Sequence, residues 1–248
     1  MAFFEQNEKA ALMEFDAFLT TSTFTKHYLQ KRQLQAPILV VPPALTHTFP
    51  PIQRSPQPIK AIIIANLVER KGILPFFKAL VSMGIEKYTD HLTIDIYGTD
   101  QIEKSYAQSC LSYIEQHPAL QKVVIYQGTR SQSQLITIYQ QANLFLSTSF
   151  MESFGMALQE AVAAQLPILT LAAGNAQHHI QPGSNGFVCS DLMHLTQKLF
   201  HLASTPSALA QLLQQAQQYQ PYRNYRWANA AQQFKDQFLD NCKDYCYI

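Results

Sequence analysis

From Lys60 onward the chain alternates short apolar runs with segments whose apolar residues recur every three or four positions. AIIIAN (61–66) is apolar until its last residue and reads as a strand buried on both faces. LTIDIYG (92–98), KVVIYQG (122–128), LFLSTS (144–149), PILTLAA (167–173) and GFVCS (186–190) read as further strands. Between them ILPFFKALVSM (73–83), IEKSYAQSCLSYIEQH (102–117), SQLITIYQQA (133–142) and MALQEAVAAQ (156–165) have helical spacing. Apolar runs without alternation belong to parallel strands covered on both faces. The β-α-β-α order therefore predicts an α/β fold, a doubly wound Rossmann-like parallel sheet over residues 59–205. Ligands of such sheets bind beyond the carboxyl ends of the strands, so the loops at those ends are the candidates for chemistry.

The flanks are different. NEKAALMEF (7–15) and TKHYLQKRQ (25–33) read as helices, and AFLTTS (17–22) and PILVVPP (37–43) as short strands. THTFPPIQRSPQP (46–58) carries four prolines and no periodicity, and reads as a linker. Residues 1–58 thus look like the remnant of an N-terminal domain plus a linker. After Thr205 the chain is helical and rich in glutamine. Leu209, Leu212, Leu213 and Ala216 keep an apolar stripe, so the glutamines read as a solvated helix face. The helices of 206–248 are expected to pack back on the N-terminal part.

Composition narrows the function. The chain has 248 residues, 47% of them hydrophobic, enough for a real core. A formal net charge of +1 favours neither nucleic acid nor an anionic membrane. No apolar run is long enough for a transmembrane helix, and the acidic N-terminal stretch is unlike a signal peptide, which points to the cytoplasm. Cys110, Cys189, Cys242 and Cys246 make no C-x-x-C pair. Cys242 and Cys246 stand four apart, as on one helix face, and all four read as reduced thiols.

Three loops hold unusual residues. NLVERKG (66–72) follows a predicted strand and sets Arg70 and Lys71 beside Gly72, just ahead of a helix. Cations beside free helix N–H groups suit a phosphate, although a solvated loop would look the same. In FMESFGMALQEAVAAQLPI (150–168) Glu152 and Glu160 flank a strand-to-helix turn at Ser153, Phe154 and Gly155. Gly155 permits an unusual φ, and the amides of Phe154, Gly155 and Met156 would face a ligand above the sheet. A carboxylate accepts with two adjacent oxygens, so Glu160 suits the vicinal hydroxyls of a ribose, and Glu152 another part of the same ligand. The alternatives are a helix-dipole role for Glu152 and an exposed helix face for Glu160. AAGNAQHHIQPGSNG (172–186) completes the set. Its adjacent His178 and His179 diverge, which argues against a shared metal. No D-x-D, G-x-S-x-G, P-loop or H-E-x-x-H is present, so no metal and no cofactor is expected.

In this order these residues resemble the C-terminal half of a GT-B glycosyltransferase of family 4. NLVERKG resembles that group's N-L-x-x-x-K-G, and SFMESFGMALQEAVAAQLP resembles its E-x7-E motif, S-x-x-E-x-F-G-x-x-x-x-E-A-x-A-x-x-x-P. GNAQHHIQPGSNG resembles its G-G-x-x-E…G-x-N-G, and Trp227 the tryptophan that begins its last helix. The resemblance implies transfer of a sugar from a UDP-, GDP- or ADP-sugar, metal-independent and with retained configuration. It implies that Lys71 steadies the leaving diphosphate and that Glu152 lies near the sugar and the reacting centre. It further implies that Ser153, Phe154, Gly155 and Met156 contact sugar and phosphate, and that Glu160 holds the ribose. The chain departs from the pattern at Asn66, where many relatives have an arginine, leaving Arg70 as a helper to Lys71. It departs again at His178, where the third motif has a glutamate. Nearly all of the group's N-terminal domain has no counterpart here. A homo-oligomer or a separate N-terminal-domain partner is therefore expected, with a non-catalytic nucleotide-sugar-binding or partner-interaction module as the alternative.

Overall fold

The computed structural model describes residues 2–222 and 224–241, with side chains from residue 7 onward. The chain divides into two compact units, one formed by residues 2–46 and 224–241, the other by 47–222. Cys242 and Cys246 lie outside the described residues.

The smaller unit opens with helix α1 (Ala2–Leu12), strand β1 (Phe18–Thr20), helix α2 (Thr23–Gln30) and strand β2 (Ile38–Val40). Ser22 starts α2 because its hydroxyl accepts the Thr25 N–H at 3.2 Å. β1 and β2 pair in parallel, Phe18 opposite Ile38.

The larger unit contains strands β3 (Ile59–Ile64), β4 (Leu92–Tyr97), β5 (Val124–Gly128), β6 (Leu144–Ser147), β7 (Ile168–Leu171) and β8 (Gly186–Cys189). Their order across the sheet is β5-β4-β3-β6-β7-β8, and every neighbouring pair is parallel. The helices are α3 (Ile73–Ser82), α4 (Lys104–Glu115), α5 (Pro118–Val123), α6 (Gln132–Gln141), α7 (Met156–Ala163), α8 (Leu192–Ser204) and α9 (Pro206–Gln218). This is the doubly wound α/β sheet that the apolar runs predict. β6 and β7 are buried at every residue, which explains the absence of alternation in LFLS and ILTL.

Two helices escaped the periodicity. Pro118, pre-set for a first helical turn, opens α5, so the strand expected from Lys122 begins only at Val124. α8 fills the stretch after β8; its N-cap is Asp191, whose carboxylate accepts the His194 N–H at 2.8 Å. The apolar stripe of α9 is buried as expected, at Leu209, Leu212, Leu213 and Ala216. Cys110 and Cys189 are free thiols whose burial pushes each up to about 11.

The proline-rich stretch 47–58 has neither helix nor strand, yet it is fixed. Arg54 donates to the carbonyls of Ala142 at 2.8 Å and Ala164 at 2.7 Å, at the ends of α6 and α7. Phe49 sets its ring edge-on to Tyr139, 5.6 Å away.

Helix α10 (Trp227–Asn241) belongs to the smaller unit. Two of its glutamines reach the edge of the two-stranded sheet. Gln237 accepts the Val40 N–H at 2.9 Å and donates to the Val40 carbonyl at 2.8 Å; Gln233 donates to the same carbonyl at 3.2 Å. A two-stranded sheet leaves backbone groups unpaired at its edges, and these side chains supply the partners.

Candidate functional site

The three loops singled out in the sequence leave the carboxyl ends of β3, β6 and β7, which are neighbours in the sheet. From β3 the chain steps through α3 to β4 on one side; from β6 it steps through α7 to β7 on the other. The gap between β3 and β6 is therefore the topological switch point, where open α/β sheets bind ligands.

Backbone hydrogen bonds zip these loops together. Phe150 donates its N–H to the Arg70 carbonyl at 2.9 Å, and the Thr148 hydroxyl donates to the Lys71 carbonyl at 2.6 Å. Asn175 donates its N–H to the Glu152 carbonyl at 2.8 Å. Gly72 has φ 65° and lies so close to this seam that a Cβ would meet the Thr148 carbonyl oxygen at 2.3 Å. Only glycine combines that approach with that backbone.

The result brings Lys71 and Glu152 together. The ammonium of Lys71 lies 2.5 Å from a Glu152 carboxylate oxygen, with 14% and 13% of the two side chains exposed. Arg70 is exposed, and its guanidinium reaches no nearer than 3.5 Å to the Met151 carbonyl. Asn66 accepts the Thr99 N–H at 3.1 Å and so ties the end of β3 to the loop after β4. Ser153 is exposed, and Met156, the first residue of α7, is 54% exposed. The Phe154 ring is buried, so this residue can offer a ligand only its backbone.

Gly155, at φ 92°, is the N-cap of α7. The first intrahelical bond of α7 runs from the Gln159 N–H to the Gly155 carbonyl at 3.0 Å, so the N–H groups of Met156, Ala157 and Leu158 precede the ladder. α3 begins differently: its Leu74 N–H is donated to the Tyr106 hydroxyl at 3.0 Å, and Pro75 has none. The open N–H groups expected of the helix after Lys71 are thus found mainly at the start of α7.

Glu160 stands apart from the pair, against α6. It accepts from the Tyr139 hydroxyl at 2.8 Å and from the Gln132 side chain at 3.2 Å. Tyr139 is fully buried; burial, and then the nearby Glu160 charge, push its phenol well above its usual range, so it remains a donor. These partners were not legible in the sequence, because they depend on how α6 packs beside α7.

His179 was also missed. It is 2% exposed, whereas His178 is exposed, as the divergence of adjacent side chains requires. Its Nε2 lies 2.6 Å from the Phe154 carbonyl oxygen and its Nδ1 2.8 Å from the Tyr222 hydroxyl. Asn175 donates its side-chain amide to the same Phe154 carbonyl at 2.9 Å. Two adjacent histidines in a glycine-bearing loop were the available signal, and only burial shows which one turns inward.

A cavity of about 300 Å³ lies on the far side of α6, lined by Tyr97, Gln127, Arg130, Gln134, Thr137 and Ile138, none of them a predicted site residue. Among the described residues no cluster of His, Cys, Asp or Glu could hold a metal ion, and no helix is long and apolar enough to cross a membrane.

Comparison with known proteins agrees with this fold. Over 180 residues the chain is 26% identical to the UDP-N-acetylglucosamine–peptide N-acetylglucosaminyltransferase GtfA subunit of Streptococcus pneumoniae serotype 4 (strain ATCC BAA-334 / TIGR4). That match covers 70% of this chain and 34% of the relative, so the chain spans about a third of the curated protein it resembles. A chain of the GtfA/B complex superposes with a TM-score of 0.69 at 25% identity, over 97% of this chain and 48% of that one. Anabaena Alr3699/HepE, solved in complex with UDP and glucose, gives a TM-score of 0.76 at 16% identity, over 95% and 66% of the two chains. The model of the family "Glycosyl transferases group 1" matches residues 47–221, well over half of the sequence. The chain therefore belongs to the glycosyl transferases group 1 family and carries the α/β architecture of GT-B glycosyltransferases.

Proposed function

We propose that this chain holds the nucleotide-sugar donor of a family 4-like glycosyltransferase, with Glu152 and Glu160 as its E-x7-E pair, and takes part in retaining, metal-independent transfer. The observation that carries the reading is the Lys71–Glu152 pair at the switch point beside the N-terminus of α7. In transfer, the bond between the anomeric carbon and the diphosphate oxygen breaks, and its electron pair leaves with the diphosphate. The acceptor oxygen bonds to the anomeric carbon, and its proton passes to a departing phosphate oxygen. Charge therefore develops on the diphosphate, where Lys71 and the free N–H groups of α7 neutralise it without reorganising. An arriving diphosphate takes the place of Glu152 on Lys71, and the released carboxylate faces the sugar. Arg70 adds positive charge at the rim, Ser153 and Met156 line the turn, and Asn66 shapes the loop that presents Lys71. Glu160, held by Tyr139 and Gln132, accepts from the ribose hydroxyls.

The GtfA relative is described as a peptide N-acetylglucosaminyltransferase subunit, and a structural neighbour is described as a GtfA/B complex. This favours a working form assembled with a partner that supplies an N-terminal domain, or with a second copy. A non-catalytic nucleotide-sugar-binding module is the other reading, favoured by His178 standing where the third motif has a glutamate. Calorimetry with UDP, GDP and ADP, without added metal, tests the proposal. One nucleotide should bind, and Glu160→Ala should weaken it by about 1–3 kcal/mol. Failure of all three to bind would remove the donor site.

A further inference from the structure

We propose that His179 is a positioning residue, locked by Tyr222 so that the Phe154–Gly155 peptide presents its N–H to the donor's phosphates. The inference rests on the donor-site reading above.

A backbone carbonyl oxygen only accepts, so His179 Nε2, at 2.6 Å from the Phe154 oxygen, carries a proton. A neutral imidazole has one N–H, so Nδ1 holds a lone pair and the Tyr222 hydroxyl, at 2.8 Å, donates to it. Burial lowers the pKa of this histidine and keeps the ring neutral. One tautomer is therefore fixed by two bonds of opposite sense. The rest of the turn is pinned as well: Asn175 adds a second donor to the Phe154 oxygen at 2.9 Å, and Asn185 donates to the His179 carbonyl at 2.9 Å.

The consequence follows from peptide geometry. In a planar trans peptide the C=O and the N–H point in opposite directions. The Phe154 carbonyl is drawn toward His179 and Asn175, which are 2% and 5% exposed. The Gly155 N–H of the same peptide must then point away from that buried pair, toward the open side of the turn. There it joins the free N–H groups of Met156, Ala157 and Leu158. Nothing else about His179 calls for a ring nitrogen: an apolar side chain would fill the space beside Phe154, whose ring packs edge-on at 5.1 Å.

The test uses the full chain with UDP, GDP and ADP, each against its nucleoside, in calorimetry. In His179→Leu the affinity for the bound nucleotide should fall about tenfold while the nucleoside is unaffected, since one phosphate-facing donor is lost. His179→Gln, whose amide can restore a donor to the Phe154 carbonyl, should recover most of it. If His179→Leu does not fold, Tyr222→Phe carries the same test with a loss of roughly threefold, because the ring then lacks only its second anchor. Equal loss of nucleotide and nucleoside, or no loss in either variant, would overturn the proposal. Nitrogen NMR of the imidazole gives a readout independent of any nucleotide. His179 should show the Nε2–H tautomer at neutral pH; the opposite tautomer would overturn the positioning role even if nucleotides bind. A wild-type chain that binds no nucleotide, with the Nε2–H tautomer intact, would instead overturn the donor-site reading and the phosphate part of this proposal with it.

Discussion

The two ends of the larger sheet both bury polar groups, but they use them in opposite ways. At the amino end, Arg54 spends its donors on the last carbonyls of α6 and α7, and Asn143 bonds the Lys60 N–H at 2.7 Å and the carbonyls of Ser55 and Pro58, each at 2.9 Å. Every one of these bonds closes a backbone gap. At the carboxyl end, Lys71 meets the Glu152 carboxylate, which the proposed diphosphate would displace, and His179 and Asn175 hold the Phe154 carbonyl, whose peptide N–H is proposed to face the ligand. A half-buried cation that satisfies backbone stabilises the fold. One whose partner is a replaceable anion is available for chemistry.

The widest separation between the two ends comes from Lys71→Ala. Removing the cation from a developing diphosphate charge should lower turnover about 10²- to 10³-fold, worth roughly 3–4 kcal/mol in the transition state. Binding of the free nucleoside should stay as it was. Steady-state rates of the assembled enzyme and nucleoside calorimetry together check this. A parallel loss of nucleoside affinity would assign Lys71 to the base or ribose and dissolve the contrast.

Arg54→Met is the complementary experiment at the amino end. Burial pulls the Arg54 guanidinium down to about 10, so it is still charged at neutral pH, and its positive charge sits at two helix C-termini. Methionine fills the volume but strands the carbonyls of Ala142 and Ala164. The expected cost is about 2–3 kcal/mol of stability, read from a denaturant midpoint, with nucleotide affinity unchanged. A variant of full stability would mean that water replaces Arg54 without loss.

Most of the sheet was legible because its strands are covered on both faces, and a run such as AIIIA admits few other readings. That Lys71 and Glu152 share one cluster of loops was legible because each follows a strand end, Lys71 next to Gly72 and Glu152 three residues before Gly155. The Glu160–Tyr139 bond and the His179–Tyr222 bond were not, because they join residues 21 and 43 positions apart through the packing of helices. α8 occupies a stretch to which the sequence assigns no element, and the last two residues of α5 fall inside the strand expected from Lys122, because six residues carry too little periodicity to register. In the smaller unit, nothing in the sequence marks Gln233 and Gln237 as edge partners of β2; that pairing depends on where α10 packs.

The smallest effect concerns pH and isolates His179. Burial, the leading cause, and the His178 charge lower its pKa from the ordinary 6.5; the Phe154 carbonyl and the Glu152 charge oppose this. The Tyr222 phenol, raised by its own burial, does not titrate in the same range. The unfolded chain therefore takes up a proton at this position before the folded chain does. The stabilisation is fully present above 6.5 and is lost as pH falls from there toward the depressed folded value. Acidification protonates other groups as well, so the informative quantity is a difference between variants. Denaturant unfolding at about pH 7.5 and about pH 5.5 should show wild type losing more stability than His179→Gln, whose side chain cannot take up the proton. Equal losses would mean that the folded and unfolded chains protonate His179 alike, which a ring held neutral between Phe154 and Tyr222 does not allow.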